Sequence, residues 1–245
     1  MIKKIDNTTM AELLSFLREQ PVLNIYGLSY AEGYPLDDRF YKAYKCDSGY
    51  IIVLDNIAFV YADLDDEIYA FFDYFGIEYI YSFSKPNENF ISETAVIMSI
   101  GTVIPQNKSC ASEASDKEMY DLLCNSFEYM PEFENYKNTR IEQRHYLGSF
   151  SANIFIDNML VSTAAVGMQN SLSGLISCVA TNTDYRGIGL GSSVVASVSN
   201  DLLDQNKIPV IISDEERVIK LYKKLGFCIA SELYISTKKA EIHNC

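Results

Sequence analysis

The sequence predicts an α/β (α+β) fold: a mixed, mostly antiparallel sheet flanked by helices, preceded by a smaller α/β half. Three observations carry this. Residues 150–236 run strand, strand, strand, helix, strand, helix, strand, which is a mixed sheet with helices laid over it. Residues 40–75 show a similar meander followed by a helix, with no sequence-level repeat between the two regions. A polar, small-residue stretch at 106–115 separates them and reads as a linker. The expected organisation is 1–107 and 108–245.

Each element has a local reason. Asn7 or Thr8 caps a helix over 9–20, with Leu13, Leu14 and Leu17 on one face. A short helix covers 23–31. Strands follow at 40–46, 50–54 and 57–62, with Asp47-Ser48-Gly49 and Asp55-Asn56 as turns. Residues 63–75 form a helix with acids in its first turn and Gly76 as its stop. Strands 77–83 and 94–100 complete the first half. Ser115 and Glu118 form a capping box that opens a helix to about 127, and Pro131 starts another to about 147. Strands 150–156 and 159–167 join through Asp157-Asn158. Strand 174–181, helix 189–206, strand 209–212, helix 215–225 and strand 227–236 end the pattern.

Composition removes several function classes. With 48% hydrophobic and 22% charged residues, the chain can bury a real core. A net charge of −13 argues against nucleic acid or an anionic membrane as partner. It suits a cationic substrate and simple solubility equally. Residues 108–245 are less acidic than 1–107. Of the six cysteines none forms a CxxC pair, and His145 and His243 are far apart, so no metal site is expected. Most of these cysteines sit in apolar runs and read as buried thiols in a reducing compartment. The N-terminus lacks a signal peptide's apolar region, and no run has membrane-spanning length. A cytoplasmic protein is expected.

The most informative stretch is Arg186-Gly187-Ile188-Gly189-Leu190-Gly191-Ser192, between a strand and a helix. Helix N-termini carry unpaired N–H groups and a positive dipole end, and glycine lets backbone approach a ligand closely. A phosphate cradle fits. So does simple tight packing of a helix on a sheet. The dinucleotide fingerprint fails, because Ser192 and Val194 stand where its third glycine would be. The P-loop fails too, since no lysine follows until Lys207.

Val179-Ala180-Thr181, Tyr185-Arg186-Gly187-x-Gly189-x-Gly191 and, downstream, Leu221-Tyr222-x-x-Leu225-Gly226-Phe227 together resemble the GNAT superfamily of acyl-CoA-dependent N-acetyltransferases. The resemblance covers about 115–236, and Arg140-Ile141 and the 157–158 hairpin fit it as well. More loosely, 16–54, with Pro21, Asn24 and Gly27, resembles the first half of a two-part bacterial subgroup whose N-terminal module is a degenerate GNAT-like one.

The resemblance implies acetyl-CoA as co-substrate and direct transfer of its acetyl group to an amine on a small molecule or peptide. It implies that the CoA pyrophosphate meets backbone N–H groups of Gly187, Ile188, Gly189, Leu190, Gly191 and Ser192, with the Arg186 side chain packed near the loop. It implies that Val179, Ala180 and Thr181 line the pantetheine arm as a strand edge would. That requires the strand from 174 to splay from its parallel neighbour, at whose start Pro209 is then tolerable. Ile188 and Leu190 are expected in the core. Tyr222 is the implied proton donor to the leaving thiolate; a phenol of pKa about 10 is protonated at neutral pH. Packing is the default for any one of 18 tyrosines.

The sequence departs from the family in two places. Many relatives carry a glutamate base on the central strands, where 164–180 holds no carboxylate and Gln169 stands instead. Many have asparagine seven residues before the tyrosine, where this chain has Glu215. Asp184 is expected to cap the glycine turn. His145 fits either a helix surface or the acceptor site, and the acids at 63, 65, 66 and 67 fit a helix first turn or a polyamine. The alternative to an enzyme is a non-catalytic acyl-CoA-binding or regulatory module. A monomer or homodimer is expected.

Overall fold

The computed structural model describes residues 1–106, 108–111 and 113–239. In chain order its elements are β1 (Lys3–Lys4), α1 (Met10–Glu19), α2 (Ile25–Gly33), β2 (Lys42–Cys46), β3 (Gly49–Leu54), β4 (Ile57–Tyr61), α3 (Asp66–Phe75), β5 (Tyr79–Ser82) and β6 (Phe90–Ser99). There follow α4 (Asp116–Cys124), α5 (Phe133–Tyr146), β7 (Phe150–Ile156), β8 (Met159–Gln169), β9 (Ser173–Thr181), α6 (Leu190–Asp204), β10 (Ile208–Ser213), α7 (Glu216–Lys224) and β11 (Cys228–Lys238). Two compact units result. One holds Met1–Ile97, Ser213–Glu215 and the described residues 229–239; the other holds Met98–Ile212 and Glu216–Cys228. The strand after the last helix therefore belongs with the first unit.

In the first unit the strand order is β1-β2-β3-β4-β5-β11-β6. The β2–β3–β4 meander is antiparallel, β5 lies parallel to β4, and β11 is antiparallel to β5. Asp55, at φ +49, closes the tight turn between Leu54 and Ile57. Helix α3 shows its sequence logic plainly. Asp65 caps it by accepting from the Ile68 N–H (2.9 Å), and Gly76 ends it in the left-handed region at φ +64. Ile68, Phe71 and Phe72 form its buried stripe, packed on Tyr44, Ile51 and Val60 of the sheet. At α1 the cap differs from expectation. Thr9 is the boundary residue, and Asp6 serves the turn by accepting from the Thr8 and Thr9 N–H groups (2.9 and 3.1 Å).

In the second unit β10-β9-β8-β7 lie side by side. β7–β8–β9 is antiparallel and β10 is parallel to β9. Asp157 and Asn158, both at positive φ, make the two-residue hairpin between Ile156 and Met159. Helices α4 and α5 cover one face, where Met119, Leu122, Leu123 and Tyr136 bury Leu160, Ala165 and Ala180. Helix α6 packs on the other face, with Leu202 over Gly174 and Gly191 beside Thr181. The capping box of α4 is present as expected: Ser115 Oγ accepts from Glu118 N–H, and the Glu118 carboxylate accepts from Ser115 N–H (2.9 Å).

Some expectations change. Helix α5 begins after Glu132 rather than at Pro131, whose carbonyl accepts from the Tyr120 hydroxyl (2.9 Å). Part of the 106–115 stretch is docked, since Ala111 exchanges two backbone hydrogen bonds with Asn153 (2.7 and 2.8 Å). β7 is an edge strand with free pairing groups, and this residue takes one pair of them. Positions 107 and 112 of that stretch lie outside the described residues, as do His243 and Cys245. Among the described cysteines only Cys46 is buried; Cys110 and Cys178 are half-buried and Cys124 and Cys228 exposed, all as free thiols. Apolar neighbours in sequence did not bury them, because each face of an element is set by packing. Among the described residues no helix is long and apolar enough to cross a membrane.

Candidate functional site

The glycine turn joins β9 to α6. A single 3₁₀ turn, Thr183–Tyr185, comes first, capped by Asn182, whose side chain accepts from the Asp184 N–H (3.1 Å). Asn182 thus has the capping role expected of Asp184. Arg186 Nε donates to the Thr181 carbonyl (3.0 Å) and ties the turn back to the end of β9. Gly187 and Gly189 then take φ +81 and +84, a region that strains any residue with a Cβ, and nothing lies within 4 Å of where those Cβ atoms would be. Gly189 is the N-cap of α6. It offers no side-chain cap, and the first turn of α6 has no acidic residue. The first-turn amides of Leu190, Gly191 and Ser192 therefore have no capping side chain from Gly189. Helices α3 and α4, by contrast, are capped by Asp65 and Ser115 and carry acids in their first turns. A helix start of this kind favours an external anion by charge and by hydrogen bonding. Leu190 is core, as expected, at 1% exposure, whereas Ile188 is 57% exposed and is not. The turn lifts its side chain off the sheet.

The strand leading into this turn is irregular in two ways. β9 pairs with β10 only from Ser173↔Ile208 to Ile176↔Ile211, so residues 177–181 continue without β10 partners. The two strands part where the expected ligand arm would enter. Pro209 lies in the paired stretch, opposite Gly174, rather than at a splayed start. Its carbonyl accepts from Ile100 N–H (3.4 Å), so the face lacking an N–H is turned away from β9 and costs that ladder nothing. On its other edge β9 carries a bulge. Thr163 pairs with Ala180 and Ala165 with Ser177, so Cys178 and Val179 together oppose Ala164. Cys178 sits at φ +51, the mark of that bulge. Beyond it Ala180 is buried and Thr181 half-buried, its hydroxyl 2.8 Å from that of Ser162. Neither the bulge nor the Asn182 cap was foreseen. A cysteine at positive φ leaves no trace in composition, and only the mismatch of strand registers reveals it.

Residues 155–235 match the family described as FR47-like protein. No curated protein matches the sequence. Solved structures resemble nearly the whole chain. A GCN5-related N-acetyltransferase from Sphaerobacter thermophilus is 13% identical with a TM-score of 0.63, covering 97% of this chain and 95% of that one. A tandem GNAT protein from the clavulanic acid biosynthesis pathway is 10% identical, with a TM-score of 0.62 and coverage of 97% and 98%. A GCN5-related N-acetyltransferase from Kribbella flavida is 12% identical, with a TM-score of 0.59 and coverage of 90% and 97%. The chain has a GNAT fold.

The likeness to the tandem GNAT protein spans both units, and the FR47-like match lies in the C-terminal part. The glycine turn, the bulge and Tyr222 all belong to the second unit. Tyr222 lies on α7, 5% exposed, with its ring 5.9 Å from that of Phe227. Gln169 is elsewhere. It pairs with Gly174, four residues along β9 from the bulge, or about 13 Å at strand rise. Its amide donates to the Gly148 carbonyl and accepts from the Lys207 ammonium, so it braces the far end of the sheet. Glu215 is exposed before α7, its N–H donating to Ser213 Oγ (3.3 Å). His145 lies on the exposed surface of α5 against Tyr146. The acids at 65–67 serve the α3 cap and first turn.

Proposed function

We propose that this protein is an N-acetyltransferase that moves an acetyl group from acetyl-CoA directly to an amine. The observation that carries the reading is the uncapped, acid-free start of α6, opened by Gly187 and Gly189 beside the parting of β9 and β10. The amides from Gly187 to Ser192 hold the pyrophosphate, and Arg186 holds the loop rather than the ligand. Backbone groups of Val179 and Thr181, on the edge of β9 away from β8, pair with the amide groups of the pantetheine arm as an added strand would, while Ala180, whose carbonyl accepts from Ser162 Oγ (3.2 Å), lines the arm without pairing to it. That edge directs the thioester toward the bulge. A bulge leaves backbone groups outside the ladder, and an N–H there stabilises the oxygen on which charge develops. Tyr222 supplies a proton to the departing thiolate. Holding donor and amine together contributes roughly 7–11 kcal/mol toward the barrier.

No carboxylate on β8 or β9 serves as base, so the amine loses its proton through water. The same observation, with the burial of Tyr222, favours a second reading: an acyl-CoA-binding module without turnover. Incubation with acetyl-CoA and a panel of amines, followed by free thiol, decides between them. Thiol release that depends on an amine supports the transferase. Calorimetric CoA binding with no release on any amine supports the module. No CoA binding at millimolar ligand refutes both.

A further inference from the structure

A second feature of the GNAT unit lies away from the glycine turn. Arg140, on α5, is 4% exposed. Its Nη1 donates to Ser149 Oγ (2.9 Å) and Gln143 Oε1 (3.3 Å), both neutral acceptors. Its Nε–H is buried with no acceptor, and no carboxylate pairs with it among the described residues. Charges are kept inside proteins when paired; an unpaired guanidinium is among the costliest groups to bury. Yet this one lines a cleft of about 650 Å³ between α4, α5 and the start of β7, shared with Arg144, Ser149, Ser151, Glu113 and Glu118.

The other charges there are accounted for. Arg144 is held by both oxygens of Asp116 (2.7 and 2.8 Å). Glu118 is engaged by the N–H and hydroxyl of Ser115, which also closes the N-terminus of α4. Glu113 is exposed at the rim. Asp116, held by Arg144, feels the Arg140 charge from a distance, and Arg140 is left as the buried charge with no carboxylate in direct contact among the described residues of the cleft. We infer that this cleft binds a small organic anion, a carboxylate or phosphate ester, whose acidic group docks on Arg140 and the Ser149 and Ser151 hydroxyls. The volume suits an organic ligand rather than a bare ion. The site is distinct from the glycine turn: Phe150 pairs with Val166 and Val166 with Ile176, so the cleft stands two strands from β9, about 10 Å away. The inference does not depend on acetyl transfer.

The test is thermal denaturation and calorimetry of the full chain with acetate, citrate, inorganic phosphate and glycerol phosphate, each at constant ionic strength against chloride. A response to citrate but not phosphate esters assigns a carboxylate ligand, and the reverse assigns a phosphate ester. In Arg140→Gln the concentration-dependent rise in Tm disappears and the affinity for the responding probe falls at least tenfold, while the response to CoA is retained. Ser151→Phe, which fills the cleft from half-buried β7 and leaves Arg140 in place, removes the same response and covers the case in which Arg140→Gln does not fold. The inference is overturned if no probe shifts the wild-type protein, or if the shift survives in a folded variant.

Discussion

Replacing Ser192 by Asp puts a carboxylate at the third residue of α6, on a first turn that has no acid and whose N-cap has no side chain. The same change acts with opposite sign on folding and on ligand binding. For the free protein, an acid in the first turn interacts favourably with the helix dipole, by about 0.3–1 kcal/mol. For the complex, the new charge faces a pyrophosphate carrying about two charges. At a separation of roughly 6 Å the repulsion is about 1.4 kcal/mol with the dielectric of bulk water and about 5.5 kcal/mol at an effective value of 20. Since 1.4 kcal/mol is a factor of ten, CoA affinity should fall about tenfold or more. Desulfo-CoA and CoA should suffer alike, and added salt should recover part of the loss. The assay is calorimetric titration with CoA beside a thermal melt of the apo protein. Weaker binding with an unchanged or raised Tm is the expected pair, and it separates a lost phosphate cradle from misfolding. A CoA affinity within twofold of wild type would refute the placement of the pyrophosphate on α6.

Tyr222→Phe keeps the ring that packs near Phe227 and removes the proton donor; kcat should drop about 10²- to 10⁴-fold with CoA affinity preserved, and unchanged turnover removes Tyr222 from the chemistry. Gly27→Ala should destabilise the protein by about 1–3 kcal/mol in denaturant unfolding, because its Cβ would come within 2.8 Å of both Ile52 Cδ1 and the Tyr61 ring. The Arg144 hydrogen bonds hold the Asp116 carboxyl below its usual pKa, so the pair contributes stability above the unfolded carboxylate value near 3.9 and loses it as pH falls through the lower folded value. Asp116→Asn should therefore cost roughly 0.5–1 kcal/mol at pH 7, and the gap to wild type should close in acid below that range.

Much of the fold is written in short-range chemistry. The hairpin at Asp157-Asn158, the capping box of Ser115 and Glu118, the stop at Gly76 and the buried stripe of α3 each depend on neighbours a few residues away, and the sequence shows them directly. The glycine turn was visible for the same reason, since positive φ at 187 and 189 is a demand on residue type. The cap at Asp6 and the late start of α5 were less legible because several residues in each stretch could have served.

What only the tertiary structure decided is what depends on distant partners. The bulge at Cys178 exists because β8 and β9 are matched two residues against one. Gln169 is occupied by Gly148 and Lys207, groups 21 and 38 residues away, so its place in the chain could not tell its role. The buried charge of Arg140 is conspicuous only once the cleft around it is built. The sequence by itself determined the kind of fold, the order of its main elements and the glycine turn between β9 and α6, because these follow from backbone geometry and periodic burial. Register, splay and the pairing of buried polar groups waited for the folded chain, because they are properties of contacts between elements rather than of the elements themselves.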